Sequence, residues 1–218
     1  MKEILESLRE GLRRSRSVRR AVKWYRGKYA ADPGWGRILA LEGDVWQSAL
    51  TRAKGGPSVL LATSIGGYWT GTNLESLLAA ALTLRGAAVR VLLCDGVLPA
   101  CQACDGRDVA DFGTFVRQGP QKSLCGDCLR RGLRLFEGLG LPVVRFSECI
   151  TDAERQEARR LALGTPAQDI GGFRLDGVPV GEHALAGALR FFARGDLDGE
   201  PHGEAVLRRY FEAAILTS

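Results

Sequence analysis

Residues 58–95 read SVLLATSIGGYWTGTNLESLLAAALTLRGAAVRVLLCD, and this stretch decides the fold. Two apolar runs, residues 59–62 and 89–94, flank a glycine-bearing turn and a segment whose leucines have helical spacing. A strand, a tight turn, a helix and a second strand in this length are typical of a parallel crossover unit. Neither run alternates with polar residues, so we expect both faces of the sheet to be covered, as in an α/β fold.

The helix of this unit has a predicted start, a predicted stop and a predicted buried face. Thr72 and Glu75 have the spacing of a capping box, and Gly86 supplies a left-handed stop. The residues predicted to share one apolar face are Leu74, Leu77, Leu78, Ala81 and Leu82.

The sequence after Asp95 predicts a second crossover unit that carries an insertion. Residues 96–124 have little periodicity, residues 127–138 predict a helix, and residues 141–146 predict a third strand. Further predicted elements are a helix opened by a capping box of Thr151 and Glu154, a hairpin at Asp176-Gly177, and helices over residues 182–194 and 203–216. We therefore predict a Rossmann-like parallel sheet over residues 57–218, with a cysteine-rich metal-binding insertion at residues 96–128.

Residues 1–56 differ from the rest in charge and predict a basic helical leader followed by a loop. The first 30 residues hold ten Lys and Arg against three Glu, a net charge of +7, so the remainder of a chain with +5 overall sums to −2. Residues 1–28 predict a helix that either contacts an anionic membrane surface or is simply solvated. A large nucleic-acid footprint is not expected on the acidic remainder.

The bulk composition favours a cytoplasmic protein. No apolar run approaches the roughly 18 residues that a membrane span needs, and no apolar segment follows the basic start as in a secretory signal. Six cysteines in such a chain favour metal or thiol chemistry in a reducing compartment. We expect a cytoplasmic location, with the inner face of the membrane as the site of any peripheral contact.

Two CxxC pairs give the sequence its strongest chemical signal. The pairs are CQAC at residues 101–104 and CGDC at residues 125–128. Each pair can fold as a knuckle, and four thiolates complete a tetrahedral zinc site that is structural because it leaves no place for water. The metal ligands predicted are Cys101, Cys104, Cys125 and Cys128. An iron–sulfur cluster would use the same ligands, and a pair of redox dithiols is the remaining alternative. Cys94 and Cys149 are interpreted as small buried residues.

The glycine-bearing turn after the first strand predicts a phosphate or diphosphate site, because amides are free at a helix N-terminus. The candidate residues are Ser64, Gly66, Gly67, Tyr68, Thr70, Gly71 and, at the end of the next strand, Asp95. The turn is neither GxGxxG nor a P-loop, and its glycines would equally suit a tight turn alone. His183 is a candidate general base if it faces this turn, and otherwise a capping or surface residue.

Three segments resemble a known family: ATSIGGYWTGTNLESLLAAALTLRGAAVRVLLCDGVLPACQAC, CGDCLRRG and FEGLGLPVVRF. They are similar to the N-terminal part of bacterial capsule and surface-polysaccharide biosynthesis proteins of the GT-B glycosyltransferase type. The resemblance spans residues 58–215. It implies a domain that receives the acceptor, with Gly66, Gly67, Tyr68 and Thr70 at the cleft where the sugar-nucleotide diphosphate lies. It also implies a second domain holding most of the donor, so this chain is expected to be a fragment.

The resemblance thus predicts the acceptor-side domain of a sugar-nucleotide-dependent glycosyltransferase, with a sugar nucleotide as substrate and a saccharide or lipid-linked acceptor. Catalysis would depend on a second domain. The residues also leave two other functions open. One is a zinc-stapled Rossmann-like binding module without catalytic activity, and the other is an iron–sulfur or redox protein.

Overall fold

The computed structural model describes residues 33–218, apart from Asp108, Ala110 and Gln121 and the side chains of Lys122 and Ser123. In this part of the chain it is an α/β structure with one three-stranded parallel sheet and nine helices. The prediction of an α/β fold with a parallel sheet is confirmed. The predicted basic helix and its membrane contact, residues 1–28, lie outside the described residues. Over the residues described, no helix has the length and apolar character to cross a membrane.

The elements follow one another in the order expected for two crossover units and a helical extension. In chain order they are α1 (Trp35–Ala53), β1 (Ser58–Ser64), α2 (Trp69–Leu84), β2 (Ala88–Leu93), α3 (Phe112–Gln118), α4 (Lys122–Gly138), β3 (Val143–Arg145), α5 (Phe146–Cys149), α6 (Asp152–Gly164), α7 (Ala167–Ile170), α8 (Val180–Phe192) and α9 (Gly203–Leu216).

The sheet has the order β1-β2-β3, and Val91 pairs with Leu61 on one side and with Val143 on the other. Both crossovers step in the same direction, so right-handed connections place α2 and α4 on the same face. With α1 they form a single helical layer over the sheet. The core between them, here called the sheet core, is built from Trp46, Ala49, Ala79, Ala80, Ala87, Val89, Val91, Leu93, Leu135, Phe136, Leu139 and Leu141.

Among the described residues, no layer of helices covers the opposite face of the sheet, so the predicted cover of both faces is found on one face only in this part of the chain. Leu60 points away from the helical layer and is 57% exposed, and Arg90 beside it is exposed as well. At the carboxyl end of this face, Leu92 packs against Leu98 and Phe146.

The predicted buried face of α2 is wrong for three of its leucines, Leu74, Leu77 and Leu78, although Leu82 packs against the sheet core. The helix packs inward with Thr72, Ser76, Ala79, Ala80 and Thr83, whereas Leu74, Leu77, Leu78 and Leu84 are exposed. The buried hydroxyls are satisfied locally: Thr83 donates to the carbonyl of Ala79 at 2.9 Å. Small residues let a helix approach its neighbours closely, and hydroxyls that bond within their own helix carry little desolvation cost.

The predicted Thr72–Glu75 capping box is also wrong, because α2 begins at Trp69 and Thr72 lies inside its first turn. The Thr72 hydroxyl donates back to the carbonyl of Tyr68 at 2.9 Å. The Thr151–Glu154 capping box at the start of α6 is confirmed. The tight turn at Asp176-Gly177 is confirmed too, with φ of 49° and 83° at the two residues and a bridge between Leu175 and Val178.

Much of the loop predicted before the sheet is helix α1. Gly34, whose φ is 75°, precedes its first residue. The indole nitrogen of Trp46 donates to the carbonyl of Leu139 at 2.8 Å and ties α1 to the end of α4. Helix α1 is therefore part of the sheet core.

The second half of the structure has a core of its own, here called the helical core. Helices α3 and α6–α9 enclose it, together with the loop after β2. Its buried members are Ala100, Cys104, Phe115, Ala162, Ile170, Val180, Ala184, Ala188, Phe191, Val206, Leu207, Tyr210, Phe211 and Ala213. Its rings pack edge to face or stacked, as in the pair of Phe115 and Phe191 with centroids 4.7 Å apart.

Candidate metal centre

The second cysteine pair lies on a helix. Helix α4 begins at Lys122, five residues before its predicted start, so Cys125 and Cys128 fall in its first turns. Residues three apart on a helix share a face, so the two sulfurs project to the same side. The predicted knuckle at CGDC is therefore wrong, although the pairing of the two side chains is kept.

The first pair lies in the loop after β2. The amide of Cys104 donates to the carbonyl of Cys101 at 3.0 Å, and their sulfurs are 3.7 Å apart. The guanidinium of Arg190, on α8, donates to both cysteine carbonyls at 3.2 and 2.9 Å, and the Tyr210 hydroxyl of α9 donates to the carbonyl of Cys101 at 3.1 Å. The loop is thus fastened to the helical core, and Cys104 is 1% exposed.

Cys101 of the first pair and both cysteines of the second pair border a small pocket at the carboxyl edge of the sheet. Four cysteines border it, together with residues that end β1 and β2; its lining is Ser64, Ile65, Cys94, Gly96, Cys101, Ala103, Leu124, Cys125 and Cys128. Cys94 belongs to this group because it directly follows β2. The pocket lies at the seam between the sheet core, which holds α4, and the helical core, which holds the first cysteine pair.

The thiols perturb one another. The hydrogen bond between Cys104 and Cys101 lowers the pKa of Cys101 and raises the pKa of Cys104. Burial, followed by the charges of Cys101, Cys94 and Cys128, raises the pKa of Cys125 to about 12. Burial also raises the pKa of Cys94. Several thiolates in this pocket would repel each other without a cation, and a cation would reverse these shifts.

The donor chemistry of the pocket fits a thiophilic metal, although the cysteines are not arranged as a complete metal site. In the described part of the chain, no group of three or more His, Cys, Asp or Glu side chains is arranged to hold a metal. Thiolates are nevertheless the ligands that zinc and iron–sulfur clusters select. A bound ion would require the helical pair and the loop pair to close across the pocket.

The glycine-bearing turn faces the cysteines. The amide of Gly67 donates to the sulfur of Cys128 at 3.1 Å. A Cβ on Gly66 would stand 2.6 Å from the carbonyl oxygen of Cys128 and 2.9 Å from the Cα of Gly132. The two glycines thus let the turn lie directly on α4. The structure gives them a packing role and directs the Gly67 amide towards a thiolate.

The other predicted ligand residues of this edge are spread over its rim. Tyr68 and Thr70 are exposed, Ser64 lines the pocket with φ of 56°, and a Cβ on Gly71 would meet the Tyr68 ring at 2.6 Å. The carboxylate of Asp95 accepts from the hydroxyl and the amide of Ser147, at the start of α5. Asp95 is therefore engaged in joining the ends of β2 and β3.

His183 lies elsewhere. It is exposed in the first turn of α8, a helix of the helical core, and does not border the cysteine pocket. The sequence interpretation misses two features of the edge. The first is Cys94, interpreted as a small buried residue, although a cysteine at a strand end beside the CxxC loop indicates a place in the cysteine cluster. The guanidinium of Arg131 stacks 4.5 Å from the ring centroid of Trp69, a contact between α4 and α2 that no spacing indicates.

Comparisons with known protein families, with curated proteins and with solved structures each found no match. The fold and the site therefore define the class of this protein on their own: an α/β protein with a cysteine-lined pocket at the carboxyl edge of its sheet.

Proposed function

We propose that this chain binds a structural zinc ion through its cysteine cluster, and that the ion joins the sheet core to the helical core. The supporting observation is that Cys101 of the loop and Cys125 and Cys128 of α4 border one pocket at the seam between the two cores. A closed set of thiolates stabilises structure and leaves no open position for catalysis.

The chemistry of the pocket supports zinc, because four cysteines line it and thiolates are the ligands that zinc selects. Thiols bind as thiolates, so binding releases protons and removes the burial penalty that raises the pKa of Cys125 and Cys128. An iron–sulfur cluster would use the same sulfurs and is the alternative that the following experiment separates.

The test is metal analysis of the full chain purified without added metal and under argon. We expect one zinc per chain and a colourless protein. Removal of zinc by a chelator should lower the urea midpoint, because an ion that binds only the folded state adds to its stability. Cys128→Ser should lose the metal, whereas Cys149→Ser, at an exposed cysteine outside the pocket, should keep it. Visible absorbance together with bound iron and sulfide would show an iron–sulfur cluster in place of zinc. Metal-free protein would refute the proposal.

We further propose that the rim of the same edge receives a sugar-nucleotide or saccharide ligand, as the acceptor-side domain of a glycosyltransferase would. The observation that favours it is the exposure of Tyr68, 65%, beside Thr70 at the carboxyl end of β1. Ligands of open α/β sheets bind outside the carboxyl ends of the strands, and an exposed ring offers a stacking surface for a sugar. The diphosphate would have to bind without the Gly67 amide, which already donates to Cys128.

Calorimetric titration of the zinc-loaded chain with UDP- and GDP-sugars tests this second proposal. Tyr68→Ala should abolish the heat of binding and Tyr68→Phe should keep it, because the ring and not the hydroxyl supplies the stacking surface. Binding that is equal in the wild type and in Tyr68→Ala, or absent from both, would refute it.

A further inference from the structure

Four cysteines line the pocket, but they are not the four of the CxxC pairs. The lining includes Cys94, Cys101, Cys125 and Cys128. Cys104 belongs instead to the helical core, where it is 1% exposed and packs among Phe115, Phe191 and their neighbours. Its only sulfur contact of hydrogen-bond length among the described residues is with Cys101.

The turn after β2 brings Gly96 against the helical cysteine pair, two residues after Cys94. Gly96 has a φ of 96°, a conformation that suits glycine, and a Cβ there would stand 3.1 Å from the Cβ of Cys125. This close approach places the end of β2 directly on α4. A side chain at residue 96 would strain the backbone and crowd the side chain of Cys125.

Backbone amides donate hydrogen bonds to the sulfurs of two cysteines that line the pocket. The amide of Gly96 donates to the sulfur of Cys94 at 3.4 Å, as the amide of Gly67 does to Cys128 at 3.1 Å. Amide donors around a sulfur stabilise a thiolate, and such hydrogen bonds orient metal ligands. Cys94 and Cys128 thus have equivalent support, although only Cys128 belongs to a CxxC pair.

We propose that the zinc ligands are Cys94, Cys101, Cys125 and Cys128, with Cys104 remaining a thiol that hydrogen-bonds to Cys101 from the helical core. This inference rests on the proposed metal binding and fixes which sulfurs carry it. The ion then joins three segments, the end of β2, the loop and α4. The 3.7 Å between Cys101 and Cys104 is in this arrangement the length of a hydrogen bond to a metal-bound thiolate.

The experiment compares Cys94→Ser with Cys104→Ala in the full chain, with Cys149→Ser as a matched control. Zinc affinity is measured by competition with a chromophoric chelator. We expect Cys94→Ser to weaken binding at least about tenfold, because it removes a ligand. Cys104→Ala should stay within about threefold of the wild type, as should Cys149→Ser. Cobalt(II) absorption gives a second readout, since its sulfur-to-metal bands grow with the number of bound thiolates: Cys104→Ala should keep the wild-type intensity.

The outcomes distinguish a wrong assignment of the ligands from a failure of the proposed zinc binding itself. Tenfold weakening by Cys104→Ala, with or without an effect of Cys94→Ser, would make Cys104 a ligand and overturn this assignment. Wild-type affinity of Cys94→Ser would overturn it as well. If Cys94→Ser does not fold, Cys104→Ala alone decides the question. Absence of metal from the wild type would instead refute the proposed function itself.

Discussion

Helix α2 and the helical core bury side chains in opposite ways. In the helical core the large rings are inside: Phe191 contacts four other rings within about 6.2 Å, and Phe211 is fully buried. Helix α2 turns its small residues inward and leaves Leu74 and Leu77 in solvent. Packed rings thus hold the helical core together, whereas close approach of small residues holds α2 on the sheet.

This difference shows that size alone does not identify a buried face. A stripe of Ala, Ser and Thr at helical spacing brings the backbone of α2 close to β1, β2 and α1. The donation from the indole nitrogen of Trp35 to the Ser76 hydroxyl at 3.1 Å belongs to that close contact. The inner face of α2 should therefore be sensitive to added volume, and the helical core to removed volume.

The largest effect is expected in the helical core. Phe191→Ala removes a ring that is 1% exposed and stacks on Phe115, so it should lower the free energy of unfolding by about 3–5 kcal/mol. Urea unfolding followed by circular dichroism measures the change. Phe191→Leu, which keeps much of the volume, should cost clearly less. A loss below about 1 kcal/mol for Phe191→Ala would mean that the rings do not form a single packed core.

The sequence predicted those elements whose signals are local. The helix over residues 203–216 is confirmed with the bounds expected, and the Thr151 cap and the Asp176-Gly177 turn follow from short-range chemistry. The face of α2 could not be predicted in the same way, because its leucines and its small residues form two equally regular helical stripes. Which stripe is buried depends on how closely α1 and the strands approach, and that is a tertiary property.

The candidate site was predictable in its residue types and not in its geometry. CxxC spacing predicts Cys101 and Cys125 as ligands of one metal, and both border one pocket. Cys94 joins them only because β2 ends beside α4, which requires the topology of the sheet. The role of Gly66 likewise depends on contact with Gly132, a residue 66 positions away in the sequence, and no local pattern contains that contact.

A smaller effect is expected where the glycine turn meets α4. A Cβ on Gly132 would stand 2.7 Å from the side chain of Leu93 and 3.1 Å from the Cα of Gly66, so Gly132→Ala should destabilise the fold by about 1–3 kcal/mol. Gly126 on the same helix is exposed, and a methyl group placed on its Cα would meet nothing within 4 Å. Gly126→Ala should therefore stabilise the helix by about 0.5–1 kcal/mol. Equal effects of the two substitutions in thermal unfolding would contradict a close approach of the turn to α4.

The smallest effect is expected at the residues that a sequence pattern marks most strongly as core. Leu77 is 50% exposed on α2, so Leu77→Ala should change the free energy of unfolding by no more than about 0.5 kcal/mol. Two positions further along, Ala79 is fully buried, and Ala79→Leu should cost about 1–3 kcal/mol because the layer has no room for the larger side chain. The pair inverts the usual order, in which truncating a leucine is costly and enlarging an alanine is mild. Urea midpoints for both variants measure it, and a loss above about 2 kcal/mol for Leu77→Ala would place the leucine stripe in a packed interface in solution.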